Sequence, residues 1–181
     1  YDSLLTHDLC AAEKMIAGRM TAEEFAATIQ EEMDWQNYLD LAVFYHNLGL
    51  DCKAAKMLEA CPQQNALISV WSAYLKKDVE ALAKVAGASI DLVFPFRDES
   101  YAPLQWAVEN CDSWKCRYML AMLSDFLGDK EAAKGLVKAD DSDYAPYYAY
   151  RYTLTGEKAD LEKAMSYMLD YGLYDVSESE S

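Results

Sequence analysis

The sequence predicts an all-α protein built from short antiparallel helix pairs stacked in a line. Three observations carry this. Gly and Pro are scarce, at 7 and 4 of 181 residues, too little punctuation for an all-β sandwich with its many turns. Apolar residues recur at helical spacing along nearly the whole chain, among the helix formers Ala, Leu, Met, Glu and Lys. A pattern of large, small and glycine positions also returns, offset by 79 residues from Gly49 to Gly128.

The elements follow in order. Ser3 caps a first helix that ends at Gly18, and Thr21 with Glu24 forms a T-x-x-E capping box for a second, ending near Glu32. Trp35 to Leu48 is the third, closed by Gly49, and Asp51 to Ala60 is the fourth, closed by Pro62. Gln64 to Lys76 and Asp78 to Ala86 come next, with Gly87 as the stop. The pattern then breaks: residues 88–98 read ASIDLVFPFRD, β-branched and aromatic around a proline, a loop or short extended segment. Helices resume over Ser100 to Asn110, Ser113 to Leu127, Asp129 to Lys138, Ser142 to Leu154 and Glu157 to Asp170. The last residues, 171–181, form an acidic C-terminal tail.

Charge and composition narrow the function classes. Lys plus Arg is 16 against 31 Asp plus Glu, a net charge of −15. Such a chain repels nucleic acid and anionic membrane surfaces. The apolar fraction of 52% excludes disorder over the whole chain. No apolar run is long enough to insert in a membrane. The chain opens Tyr-Asp-Ser rather than with Met, so it reads as a fragment or a processed form. Five cysteines, Cys10, Cys52, Cys61, Cys111 and Cys116, match no zinc or CxxC spacing and read as free thiols packed as small hydrophobes. Free thiols tip the compartment toward the cytoplasm.

Within the offset of 79, Trp35 matches Trp114, Leu41 matches Leu120, Ala42 matches Ala121, Leu48 matches Leu127 and Ala54 matches Ala133. This arrangement resembles the tetratricopeptide repeat. In that family a small residue on the first helix of a unit faces an alanine on the second, as Ala42 and Ala54, or Ala121 and Ala133, would. The glycine sits where the turn between them needs a left-handed residue. Two such units span about 68 residues at roughly 34 each, and the excess of 11 equals the length of segment 88–98, which reads as an insertion. The resemblance implies a right-handed superhelix, an α-α solenoid occupying 1–170 as one domain, with pairs at about 3–32, 35–61, 64–86, 100–139 and 142–170.

A narrower likeness runs through LVFPFR, LQWAVEN, SWKCRYMLAML, FLGDKEAAK and DYAPYY. These strings resemble the C-terminal repeat region of large bacterial proteins that begin with a β-rich domain, DUF5107. The matching positions include Phe94, Pro95, Phe96, Arg97, Trp106, Trp114, Lys115, Tyr144, Ala145 and Pro146. That likeness implies a helical portion of a longer protein.

No phosphate-binding glycine loop, metalloprotease helix or nucleophile elbow occurs, so no catalytic residue and no cofactor is expected. His7 and Cys10 make at most half a metal set, and no metal site is assigned. The expected role is protein or peptide binding, as a scaffold. The partner is another protein or another domain of the same full-length protein, for which the array is alternatively only a buttress. The resemblance places a concave groove at Gln36, Leu39, Val43, His46 and Asn47, and at Lys115, Tyr118, Met122, Asp125 and Phe126, continued by Tyr148 and Tyr152. The segment Phe94-Pro95-Phe96-Arg97 either presents aromatics and a guanidinium to a partner or plugs the interior. The plug is the expectation, because burying two Phe rings stabilises by about 2–3 kcal/mol each; Arg97 then pairs with a nearby acid.

Overall fold

The computed structural model describes residues 2–29 and 34–170. The expected tail, 171–181, and the expected end of the second helix, 30–32, lie outside them. The helices are α1 (Asp2–Ile16), α2 (Ala22–Ala26), α3 (Asp34–Asn47), α4 (Asp51–Ala60), α5 (Ala66–Lys76), α6 (Lys84–Gly87), α7 (Tyr101–Asn110), α8 (Trp114–Phe126), α9 (Lys130–Leu136), α10 (Ala145–Thr155) and α11 (Lys158–Asp170). Tight 3-10 turns, Glu80–Ala83 and Asp98–Ser100, lead into α6 and α7. No strand forms among the described residues, and the fold class is all-α.

Local chemistry sets the helix ends. The capping box forms: Thr21 Oγ1 accepts from the Glu24 N–H at 3.1 Å, and the Glu24 carboxylate accepts from the Thr21 N–H at 2.9 Å. Yet α2 stops at Ala26, short of the expected end at Glu32. Thr28 donates its hydroxyl to the Phe25 carbonyl at 2.7 Å, a local bond that competes with helix continuation. The expected helix over Asp78 to Ala86 is also corrected, to a 3-10 turn and a single α-turn. Lys77 takes a left-handed φ of 54° that closes α5, and the Asp78 carboxylate accepts from the Ala81 N–H at the start of the 3-10 turn.

The two matched turns are chemically the same. Gly49 and Gly128 have φ of 74° and 97°. Leu50 N–H donates to the Tyr45 carbonyl and Gly49 N–H to His46, at 2.9 and 2.8 Å. Asp129 donates to Ser124 and Gly128 to Asp125, at 2.8 and 2.9 Å. Both are Schellman closures, which satisfy the last carbonyls of α3 and α8. After these turns α4 packs on α3 and α9 on α8. Ala42, Ala54, Ala121 and Ala133 are fully buried on those helices.

Contacts run mainly between neighbours in sequence: α4 on α5, α5 on α7, α7 on α8, α9 on α10 and α10 on α11. The interior is strongly aromatic. Trp71 is wholly buried, meets His46 and Tyr74 edge-on, and donates its indole N–H to the buried Ser100 hydroxyl at 3.0 Å. Further along, Tyr147 and Tyr148 are fully buried, while Tyr144, Tyr150 and Tyr152 are half-buried. Both tyrosine faces of α10 therefore serve the interior.

Arg151 ties the last described helices together. It is 9% exposed and Asp160 is 4% exposed. Arg151 Nε donates to the Asp160 carboxylate at 2.8 Å, and another nitrogen reaches the same carboxylate at 2.6 Å and Asp140 at 2.7 Å. A third nitrogen donates to the carbonyls of Val137, Lys138 and Ala139. One guanidinium thus joins the end of α9 to α10 and α11.

Arg151→Met is expected to cost about 3–5 kcal/mol in urea unfolding, because it leaves the Asp160 carboxylate buried without its cation. Adding Asp160→Asn recovers part of that loss. Tyr148→Ala removes a fully buried ring and is expected to cost about 3 kcal/mol in the same assay. The Asp140 carboxyl is held below the usual aspartate range by Lys163 and then by Arg151. Its contribution is present above the unfolded aspartate value and lost as pH falls through the lowered folded value. Asp140→Asn is therefore expected to flatten the acid limb of the stability–pH curve.

Candidate functional site

The segment 88–98 is a built strap, fastened along its length. Ser89 accepts a backbone bond from the Ala66 N–H at the start of α5, at 2.8 Å. Lys115 of α8 donates to the carbonyls of Ala86 and Ala88, at 2.8 and 2.6 Å. The Asp91 carboxylate lies beside the Tyr144 side chain next to α10, and burial, then that carboxylate, push the Tyr144 phenol well above its ordinary value. Arg97 pairs with Asp40 of α3. Ser100, just beyond, receives the Trp71 indole bond.

Between α3 and the strap lies a cleft of about 380 Å³. Its floor is Trp35, Leu39 and Leu67, all buried; its rim carries Gln36, Asp40 and Arg97, with Phe94, Pro95 and Phe96 along the strap side. Phe94 and Phe96 are 46% and 49% exposed. They stack at 5.9 Å between centroids with 14° between planes. Phe96 also lies 5.1 Å from the ring of Phe126, itself 60% exposed at the end of α8. The expectation of a plug is thus corrected. Val93 and Pro95 turn inward and both phenylalanines outward, the alternation of an extended chain.

The residues counted into a concave groove separate into distinct groups. Gln36 and Leu39 line the cleft, and Phe126 joins the phenylalanine row beside it. Val43, Tyr118, Met122 and Tyr148 are buried in the core and have no surface to offer a partner. Burial pushes the Tyr118 phenol up to about 12. Lys115 is committed to strap carbonyls, and Asp125 accepts from the Tyr150 hydroxyl at 3.2 Å. His46 lies against Trp71 and bonds Asp51 at 2.7 Å. Asn47 is exposed and Tyr152 half-buried, both outside the cleft lining. Val43, Tyr118, Met122 and Tyr148 lie inward because neighbouring helices cover them.

Trp35, Asp40, Leu67 and Ser100 line the cleft without having been singled out as binding residues. One signal could have found Asp40: it follows Gln36 by four residues, on the same helix face.

Elsewhere, chemistry-bearing groups are dispersed. All five cysteines are free; Cys10 and Cys52 are exposed, unlike the packed thiols expected, while Cys61 and Cys116 are buried. Cys111 and Cys116 stand 3.8 Å apart, sulfur to sulfur. Burial pushes the Cys116 thiol up to about 12, which makes it a poor nucleophile. The side chain of His7 lies outside those described. Among the described residues no group of three or more His, Cys, Asp or Glu converges, and no helix is long and apolar enough to cross a membrane. No protein-family model, no curated protein and no solved structure significantly matches this chain.

Proposed function

We propose that this chain is a protein- or peptide-binding module of tetratricopeptide type, and that its binding site is the strap cleft. The observation that carries the reading is the row of three exposed, mutually packed rings, Phe94, Phe96 and Phe126, beside an apolar-floored cleft. Exposed large apolar groups gathered in one patch mark interaction sites, whereas single ones are ordinary. Aromatic side chains also dominate binding hot spots, because they bury much area at low cost in side-chain freedom.

The repeated Schellman turns and buried alanine pairs support the tetratricopeptide-like superhelix. The partner is a second protein, or another domain of a longer protein carrying this one. A rigid strap suits either, since its anchors fix the rings before binding and reduce the ordering cost.

A displayed library of short random peptides, panned against the folded chain, tests this. Enrichment of binders is expected, and Phe96→Ala is expected to weaken them about tenfold or more, the loss of a hot-spot ring. The fold should remain intact, with stability changed by about 0.5 kcal/mol or less for a surface substitution. Failure to enrich any peptide, or binders indifferent to Phe94→Ala and Phe96→Ala, would overturn the assignment.

A further inference from the structure

We infer that the occupant of the cleft is an extended, Lys- or Arg-bearing peptide that pairs with 93–97 as an added strand. This rests on the peptide-binding reading above and adds the partner's conformation and charge.

The conformation follows from the strap's backbone. Arg97 has φ −127° and ψ 125°, and burial alternates from Val93 to Phe96 with a period of two. In an extended chain the N–H and C=O groups of alternate residues point to the same edge. Phe94 and Phe96 therefore share one edge, and no hydrogen bond to another described residue takes their backbone groups. Pro95 has no N–H, so the opposite edge lacks a donor at that position. One edge of the strap is thus left able to pair, which is the requirement for strand addition. A bound helix would leave that edge unpaired, because its own backbone groups are already spent within it.

The charge follows from what surrounds that edge. Arg97 is already paired with Asp40, and Lys115 with two carbonyls, so both cations at the strap are committed. Asp98 and Glu99 follow immediately and are exposed. The whole chain carries −15. A second copy of the chain brings the same negative charge, so self-association is opposed and a basic partner is favoured. The stacked Phe94 and Phe96 rings also suit basic side chains, which lay apolar stems and cationic heads on aromatic faces. The cleft floor of Trp35, Leu39 and Leu67 takes an apolar side chain from the same peptide.

The test uses the folded full chain and a fluorescent heptapeptide alternating Lys with Val or Phe, read by anisotropy. Two controls accompany it, a version with Glu for each Lys and versions N-methylated along one edge or the other. The Lys probe is expected to bind. The Glu probe should bind about a hundredfold more weakly or not at all, since like charges repel. Methylation of one edge only should cost about tenfold, because only that edge pairs with the strap. Phe96→Ala and the double variant Asp98→Lys, Glu99→Lys should each weaken the Lys probe. Equal binding of the Glu probe, indifference to methylation on both edges, or indifference to Phe96→Ala overturns the inference. If the Lys probe fails while other library peptides bind through Phe96, only the inference falls. If no peptide of any kind binds, the module reading falls with it.

Discussion

The strap 88–98 depends on one constraint: an irregular segment crossing an all-helical core must find partners for every polar group it buries. The bond from the Trp71 indole to the Ser100 hydroxyl meets that constraint at its most enclosed point. Both groups are cut off from water, and an unmet buried donor costs about 1–3 kcal/mol. The bond fixes where the strap ends and where α7 begins. From there Arg97 is in reach of Asp40, Phe94 and Phe96 turn to solvent, and the space over Trp35 and Leu67 stays open. The cleft exists because the segment is pinned at its ends and cannot collapse onto α3.

Charge is organised by the same economy of partners. Several cations are held by acids or carbonyls within the chain: Arg117 between Asp112 and Asp141, Arg151 between Asp140 and Asp160, Lys53 on Glu13, Lys115 on two carbonyls. These cations are not available for anionic ligands. The surplus left facing water is acidic, which gives the net charge a direction as well as a size.

Much of this was legible in the residues, and the limits have physical causes. Gly49, Gly128 and the Thr21 capping box announce helix ends because their chemistry is local. The strap announces itself by the β-branched and aromatic residues around Pro95 that interrupt the helical periodicity. The expected pairing of Arg97 with an acid matches its contact with Asp40. The orientation of Phe94 and Phe96 was not legible, because hydrophobicity alone favours burying both. The extended backbone, which can bury only alternate residues, gives the interior to Val93 and Pro95. The groove positions taken from the tetratricopeptide resemblance separated for a related reason. Val43, Tyr118, Met122 and Tyr148 obey the packing of their own neighbours, and an ideal unit does not include a strap or a fully buried tyrosine layer. Likewise α2 ends early where Thr28 bonds the Phe25 carbonyl, a side-chain bond that periodicity does not register.

Where each helix packs mainly on its neighbours in sequence, the molecule can behave like a row of dominoes, unfolding from one end and stopping part-way. The strap alters this. It touches α3, the start of α5, α8 and the approach to α10, elements separated by many residues. Such long-range contacts raise the mean sequence separation across which the chain must organise, which slows folding. They also join α3 and α5 to α8, so loosening on either side is felt at the clasp. A row of dominoes becomes a closed buckle, and the ring-lined cleft sits at its fastening.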